Sequence, residues 1–173
     1  KVIYGGYGWN ELIKSKNKNV LIDTSPDLKQ QLIKNKINNI DKVFYTHHHA
    51  DQTHGINELR FFYLKNRKKI DIYTNNLTKK YLLNSFGYCF KKNREYPPIL
   101  QNNSLKKKHS YKDNGKIISL KSIKVEHGNI DSICYVINNK LAYASDVSKI
   151  HKKDLKSVSY THLRAHETDS DLV

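Results

Sequence analysis

Thr46-His47-His48-His49-Ala50-Asp51-Gln52-Thr53-His54-Gly55 is the stretch whose reading decides the fold. It follows Lys42-Val43-Phe44-Tyr45, a short apolar run that fits a buried strand. After it, Ile56, Leu59, Phe62 and Tyr63 recur at helical spacing, so a helix is expected there. In an extended backbone alternate residues point the same way, so His47, His49 and Asp51 project together while His48 and Ala50 face away. Two imidazoles and a carboxylate on one side suit a zinc-like ion, which takes borderline nitrogen donors and a hard oxygen. A tag-like accident is the weaker reading, because a tag sits at a terminus without a strand before it and a helix after it. Gly55 is expected to let the chain turn sharply before that helix.

Working outward, residues 11–14 and 19–23 read as two strands around a polar Lys-Asn turn. Ser25-Pro26-Asp27 offers an N-cap, a first-turn proline and a first-turn acid, with Leu28, Leu32 and Ile33 as the apolar stripe of the helix they open. Residues 70–73 read as another strand, and Asn75 or Thr74 caps a helix running through Phe86 and ended by Gly87. The polar stretch 91–116, with Pro97-Pro98 inside it, reads as one long loop. Beyond it Ile123, Val125 and His127 alternate on one face of a strand. Strands at 131–137 and 141–144 flank Asn138-Asn139, whose chemistry suits a two-residue hairpin turn. Strands and helices mixed without an internal repeat imply an α/β or α+β layered domain.

At 173 residues the chain is long enough for one domain with a core and short for two. It contains no Met and opens at Lys1, so a fragment or a processed or trimmed chain is expected. No apolar run approaches the roughly 20 residues that span a bilayer, and no signal-peptide pattern opens the chain, so no membrane partner is expected. Cys89 and Cys134 lack the spacing of a zinc ribbon or a redox pair and read as two buried thiols in a reduced, cytoplasmic setting.

The net charge of +15 and a pI near 9.7 raise a nucleic-acid hypothesis. The surplus is nearly all Lys interleaved with Asn and Ile, while Arg, the better phosphate fork, is scarce. Runs such as Lys106-Lys107-Lys108 read as solvated surface, and a basic rim attracts a small phosphorylated substrate equally well. A small phosphorylated substrate is therefore the expected partner and nucleic acid the alternative. From about Ser157 the Lys/Asn/Ile style stops. Residues 160–168 show no core periodicity and resemble translated adapter tails, so 157–173 is expected to be non-native or disordered. His162 and His166, though spaced like ligands on a helix, are not counted as ligands.

The run from Thr46 to Asp51 resembles the His-x-His-x-Asp-His hallmark of the metallo-β-lactamase superfamily. Three further stretches narrow the likeness: Leu21-Ile22-Asp23-Thr24-Ser25-Pro26-Asp27-Leu28, His54-Gly55-Ile56-Asn57-Glu58-Leu59-Arg60 and Tyr96-Pro97-Pro98-Ile99-Leu100. With them the chain is similar to the branch containing phosphoribosyl 1,2-cyclic phosphate phosphodiesterase, over residues 20–150. The resemblance implies a four-layer αβ/βα fold of mixed sheets flanked by helices, incomplete here, as a partial hydrolase domain over residues 1–156.

It also implies that His47, His49 and His127 hold a first divalent ion, that Asp51 holds a second, and that Asp146 bridges the two. By that resemblance the last His of the hallmark is Gln52 here, which offers only a neutral amide oxygen. The family's final His, on a later strand, is missing. His54 stands two residues on and is expected beside the ligands, facing substrate, as readily as among them. Zinc or manganese is expected, one ion tight and a second weaker.

The implied activity is hydrolysis of a small, cyclic phosphate ester by a water that such an ion activates. Asp51 would orient that water or accept its proton. Asp23, after a strand, reads as a turn former or as a contact to the site. A tRNase Z-like nuclease and a non-catalytic remnant of the fold are the alternatives.

Overall fold

The computed structural model describes residues 2–4, 10–92, 96–154 and 162–165. The chain divides into two compact units, 1–105 and 106–173.

The first unit runs β1 (Val2–Tyr4), β2 (Glu11–Lys14), β3 (Asn19–Ile22), α1 (Leu28–Lys34), β4 (Lys42–Phe44), α2 (Ala50–Thr53), a 3-10 turn (Ile56–Leu59), α3 (Arg60–Asn66), β5 (Ile70–Thr74), α4 (Asn76–Ser85), a second 3-10 turn (Gly87–Cys89) and β6 (Leu100–Ser104). Its six strands lie in sequence order; β1 to β3 are antiparallel and β3 to β6 parallel. Parallel neighbours need crossovers, which the helices provide. The same arrangement explains why β3 reads as an unbroken apolar run: Val20, Leu21 and Ile22 are all buried. Leu21, Val43 and Ile72 form a core with Leu28, Ile56, Leu59, Phe62 and Leu82.

The expected helix after the hallmark stretch is present as a 3-10 turn running into α3. Asn75 caps α4, its side chain accepting from the Thr78 N–H at 2.8 Å. Helix α1 starts later than expected. Ser25, Pro26 and Asp27 form the turn before it, with the Leu28 N–H on the Ser25 carbonyl at 3.0 Å. The Ser25 hydroxyl donates to Asp27 instead of capping a helix, and Asp27 also accepts from Gln31 at 2.7 Å. Ile33 is 68% exposed, so the buried stripe of α1 is Leu28, Gln31 and Leu32.

The second unit is a five-stranded sheet in the order β11-β10-β9-β8-β7. Its strands are β7 (Lys108–Asp113), β8 (Lys116–His127), β9 (Ile130–Ile137), β10 (Leu141–Ala144) and β11 (His162–Ala165). All neighbours are antiparallel except β10 and β11. Asn138 and Asn139 both have positive φ, 51° and 54°, as the expected hairpin turn requires. Ile123, Val125, Cys134, Val136, Ala142 and Ala144 form a core against which Val147 and Ile150 pack.

The expectation of one long loop over 91–116 is corrected: β6 and β7 lie inside it. Both are outermost strands, paired on one side, and neither carries apolar alternation. In β7 the buried residues are His109 and Asp113, while Lys108, Ser110 and Lys112 face solvent. Outer strands carry such lysines as a guard against edge pairing, which hides them from a search for hydrophobic periodicity. Of the stretch 157–173, residues 162–165 form β11; the remainder lies outside the described residues, as does His166. Both cysteines are free and buried. Among the described residues no helix is long and apolar enough to cross a membrane.

Candidate metal centre

In the first unit the chemistry-bearing residues follow the C-terminal ends of the parallel strands β3 and β4, the edge at which α/β sheets present ligands. Asp23 follows β3 in the left-handed region, φ 61°, a conformation that Asp tolerates better than most residues. Its N–H donates to the Phe44 carbonyl at 2.8 Å, and its side chain is fully buried. That carboxylate accepts from the Thr46 N–H at 2.8 Å and from the Thr46 hydroxyl at 2.9 Å. Thr46 Oγ1 is in turn 3.0 Å from His47 Nδ1. A hydroxyl has one hydrogen, and here it goes to a carboxylate that can only accept. His47 must therefore donate from Nδ1, which leaves the lone pair on Nε2. The sequence had favoured Asp23 as a turn former. In the structure it orients the first histidine of the site through Thr46.

His47 is buried and His49 exposed, with ring centroids 4.5 Å apart. His49 keeps the expected extended backbone, φ −64° and ψ 158°. Asp51 does not: it lies in the first turn of α2, so a helical turn rather than strand alternation places it. The whole stretch is tied to Thr24. The Thr24 N–H donates to the Gln52 carbonyl and the Gly55 N–H to the Thr24 carbonyl, each at 2.8 Å. Gly55 has φ −85°, a value any residue adopts, so the expected sharp turn is not its reason. A Cβ there would lie 2.0 Å from the Ser25 carbonyl oxygen, and that close approach requires glycine.

Gln52 is buried, and its amide donates to Asp51 Oδ2 at 3.0 Å. This fixes the carboxylate's orientation and occupies one of its oxygens. His54 is exposed, with Nε2 3.1 Å from the Tyr81 hydroxyl on α4 and its ring edge-on to Phe86. The sequence carried no signal for Tyr81 or Phe86 as its neighbours. His48 packs against Tyr81, and burial together with the neighbouring His49 lowers its pKa.

In the second unit His127 ends β8, as expected, and Asp146 follows β10 through Ser145. Asp146 is 7% exposed. No helix begins at Asp146; instead the chain returns to the end of β8. Ser148 N–H donates to the Glu126 carbonyl at 2.8 Å and Glu126 N–H to the Lys149 carbonyl at 3.0 Å. The Gly128 N–H donates to the Ser148 hydroxyl at 3.2 Å. The segment after Asp146 thus braces the strand end that carries His127.

Comparison with known proteins places this architecture. The model of the Beta-lactamase superfamily domain matches residues 18–163. A diphosphatase from the PhnP family superposes with a TM-score of 0.72 at 25% identity, covering 85% of this chain and 54% of that one. Human tRNase Z, short form, superposes with a TM-score of 0.59 at 16% identity, over 85% of this chain and 66% of the other, a likeness of fold alone. The octanoyltransferase of Porphyromonas gingivalis (strain ATCC BAA-308 / W83) is 25% identical over 154 residues, 88% of this chain. The chain spans 30% of that relative's length and about half of the diphosphatase.

Proposed function

This chain belongs to the beta-lactamase superfamily, and on that footing we propose that it is a divalent-metal-dependent hydrolase acting on a small phosphodiester, a cyclic one included. The observation that carries the reading is the buried Asp23–Thr46–His47 chain, which sets the tautomer a metal-ligating imidazole needs before any ion arrives. We read His47 and His49 of the first unit, with His127 of the second, as the nitrogen ligands of that ion. Asp51 and Asp146 add hard carboxylate oxygens, a donor set suited to zinc or manganese.

When bound, such an ion draws the pKa of a coordinated water toward about 7 and withdraws charge from phosphate oxygens. The protein's own residues do the rest. Asp23 and Thr46 hold His47 in one tautomer. Gln52 holds Asp51 by one oxygen, and the other serves the ion or accepts a proton from the attacking water. Gln52 is a neutral amide, so one tight ion and a weaker second one are expected.

The test is metal content per chain in parent and His49→Ala, followed by turnover of bis(p-nitrophenyl) phosphate with zinc or manganese supplied. About one ion per chain in the parent, lost in the variant together with turnover, supports the reading. A metal-loaded parent that leaves this ester intact counts against a phosphodiesterase and favours a non-catalytic remnant.

A further inference from the structure

Two adjacent side-chain pairs link the ends of β3 and β4. Asp23 reaches Thr46, and Thr24 reaches Tyr45, with the two hydroxyl oxygens of the second pair 2.9 Å apart. The first pair leads to His47. The second leads to α2, because the Thr24 hydroxyl also lies 3.2 Å from the Thr53 carbonyl and 3.4 Å from that of Gln52. Thr24, Tyr45, Gln52 and Thr53 are all fully buried.

The direction of this second chain follows from what each group can do. A carbonyl only accepts, and the single hydrogen of the Thr24 hydroxyl goes to the carbonyls of α2. The Tyr45 hydroxyl is then the donor to Thr24. Burial raises its pKa, so it keeps the hydrogen it donates. Packing alone asks for a ring at this position and has no use for a buried hydroxyl, which costs free energy unless it is bonded. A four-residue helix, for its part, leaves its last carbonyls without partners inside the helix. Thr24 meets them with its hydroxyl and with its N–H, which donates to the Gln52 carbonyl at 2.8 Å. Helix α2 is tied in turn to a candidate ligand. The Gln52 N–H and the Thr53 hydroxyl donate to the His49 carbonyl, at 3.1 and 2.8 Å.

From this chain we infer that Tyr45 and Thr24 are positioning residues for Asp51, holding α2 so that the carboxylate can take the second, weaker ion, an assignment that rests on the hydrolase reading. The two ions then have separate supports. His47 is fixed by Asp23 and Thr46 at the end of β4, whereas Asp51 is carried on a helix of a single turn. The bonds from α2 reach the His49 carbonyl rather than its ring. Loosening α2 is therefore felt first at the ion that Asp51 holds.

The experiment is a cobalt(II) titration of the metal-free full chain, followed by visible absorption, which resolves the first and second ion. Tyr45→Phe and Thr24→Val each remove one hydroxyl and keep the shape of the side chain. Thr24→Ser keeps the hydroxyl, and Ile72→Val weakens the same core away from the chain. In Tyr45→Phe and Thr24→Val the second ion should bind about 10-fold more weakly, and the first within about threefold of the parent. Thr24→Ser should hold the second step within about threefold of the parent. Ile72→Val should lower the urea midpoint and leave both steps as they are. Backbone amide exchange of the metal-free chains is a second measure that needs no ion. The His54 and Gly55 amides donate to the Ala50 and Thr24 carbonyls, and they should exchange about 10-fold faster in the two hydroxyl variants. Equal weakening of both ions, an unchanged second ion in either hydroxyl variant, or the same pattern in Ile72→Val would overturn the inference and leave the hydrolase reading standing. So would unchanged exchange at His54 and Gly55. A parent that binds one ion only leaves Asp51 without the role assigned to it and overturns the inference alone. A parent that binds no ion overturns the inference and the hydrolase reading together.

Discussion

The two segments that carry the candidate ligands are held in different ways. In the first unit, the stretch from Thr46 to Gly55 is locked by contacts to a neighbouring strand end: Asp23 on Thr46, Thr24 on Gln52 and Gly55, and a Ser25 carbonyl against the face of Gly55. In the second, His127 stands at the end of a twelve-residue strand and beside a two-residue turn, braced by Ser148 and Lys149 from an exposed segment. The first is rigid because it is crowded, the second because its ladder is long. Substitutions should therefore fail by overlap in the first segment and by backbone conformation in the second.

Gly55→Ala is expected to give the largest effect. Its Cβ would sit 2.0 Å from a backbone oxygen, which no rotamer relieves, so Ser25 and the turn before α1 must shift. A loss above about 4 kcal/mol, read as a collapsed urea midpoint, fits this mechanism. A midpoint within about 1 kcal/mol of the parent would show that the crowded segment yields easily.

Asp23→Asn comes next and separates orientation from stability. An amide nitrogen facing Thr46 donates, so the Thr46 hydroxyl must turn its hydrogen toward His47 Nδ1 and force the proton onto Nε2. Metal affinity should fall about 10- to 100-fold, with a stability loss of about 1–3 kcal/mol. Titration with zinc and nitrogen chemical shifts of the His47 ring read both. Unchanged affinity in a folded variant would mean that Asp23 supports the loop without setting the tautomer.

How much of this was legible in the sequence follows the same division. His47, His49 and the helix after them were readable because a buried strand, a polar cluster and an amphipathic stretch leave a local pattern. Asp23's role was legible only as the lesser alternative to a turn former: the contact spans twenty-three residues, and no periodicity marks the partner of a strand end. Asp51's position was foreseen with the wrong geometry, since a four-residue helix is too short to leave a pattern. His127 and Asp146 could be singled out through family resemblance, because a lone polar residue at a strand end looks like any other. β6 and β7 were missed for lack of alternation, although Asn114-Gly115 between β7 and β8, with φ 48° and 78°, was a readable hairpin signal.

The buried thiols allow a further comparison of the two units. Burial pushes the Cys89 thiol in the first unit up to about 11 and the Cys134 thiol in the second up to about 12. A thiol whose folded pKa is raised leaves stability intact below its unfolded pKa near 9 and subtracts from it as pH climbs toward the folded value. The thiols' contribution should therefore be flat to about pH 8.5 and decline above it, each adding a slope of up to about 1.4 kcal/mol per pH unit to the loss that the buried Tyr45 hydroxyl brings at higher pH. Cys89→Ala and Cys134→Ala should each make that alkaline limb shallower, measured as urea midpoints between about pH 8 and 11. A limb left unchanged by either substitution would mean that the thiol in that unit is not held in a dry core.

Gly128→Ala should show the smallest effect and completes the contrast with Gly55. Gly128 has φ +55°, and a Cβ built there meets nothing within 4 Å. The cost is then the left-handed backbone alone, about 1–2 kcal/mol for alanine, and less for Gly128→Asn because asparagine tolerates that region. Asn138 and Asn139 already occupy it in the turn at the other end of β9. The asparagine variant should thus recover part of what alanine loses in a urea titration, which it could not do at Gly55, where any side chain meets the same carbonyl. Equal losses for alanine and asparagine at Gly128 would mean that the turn beside His127 is limited by space after all, and the distinction between the two segments would fall.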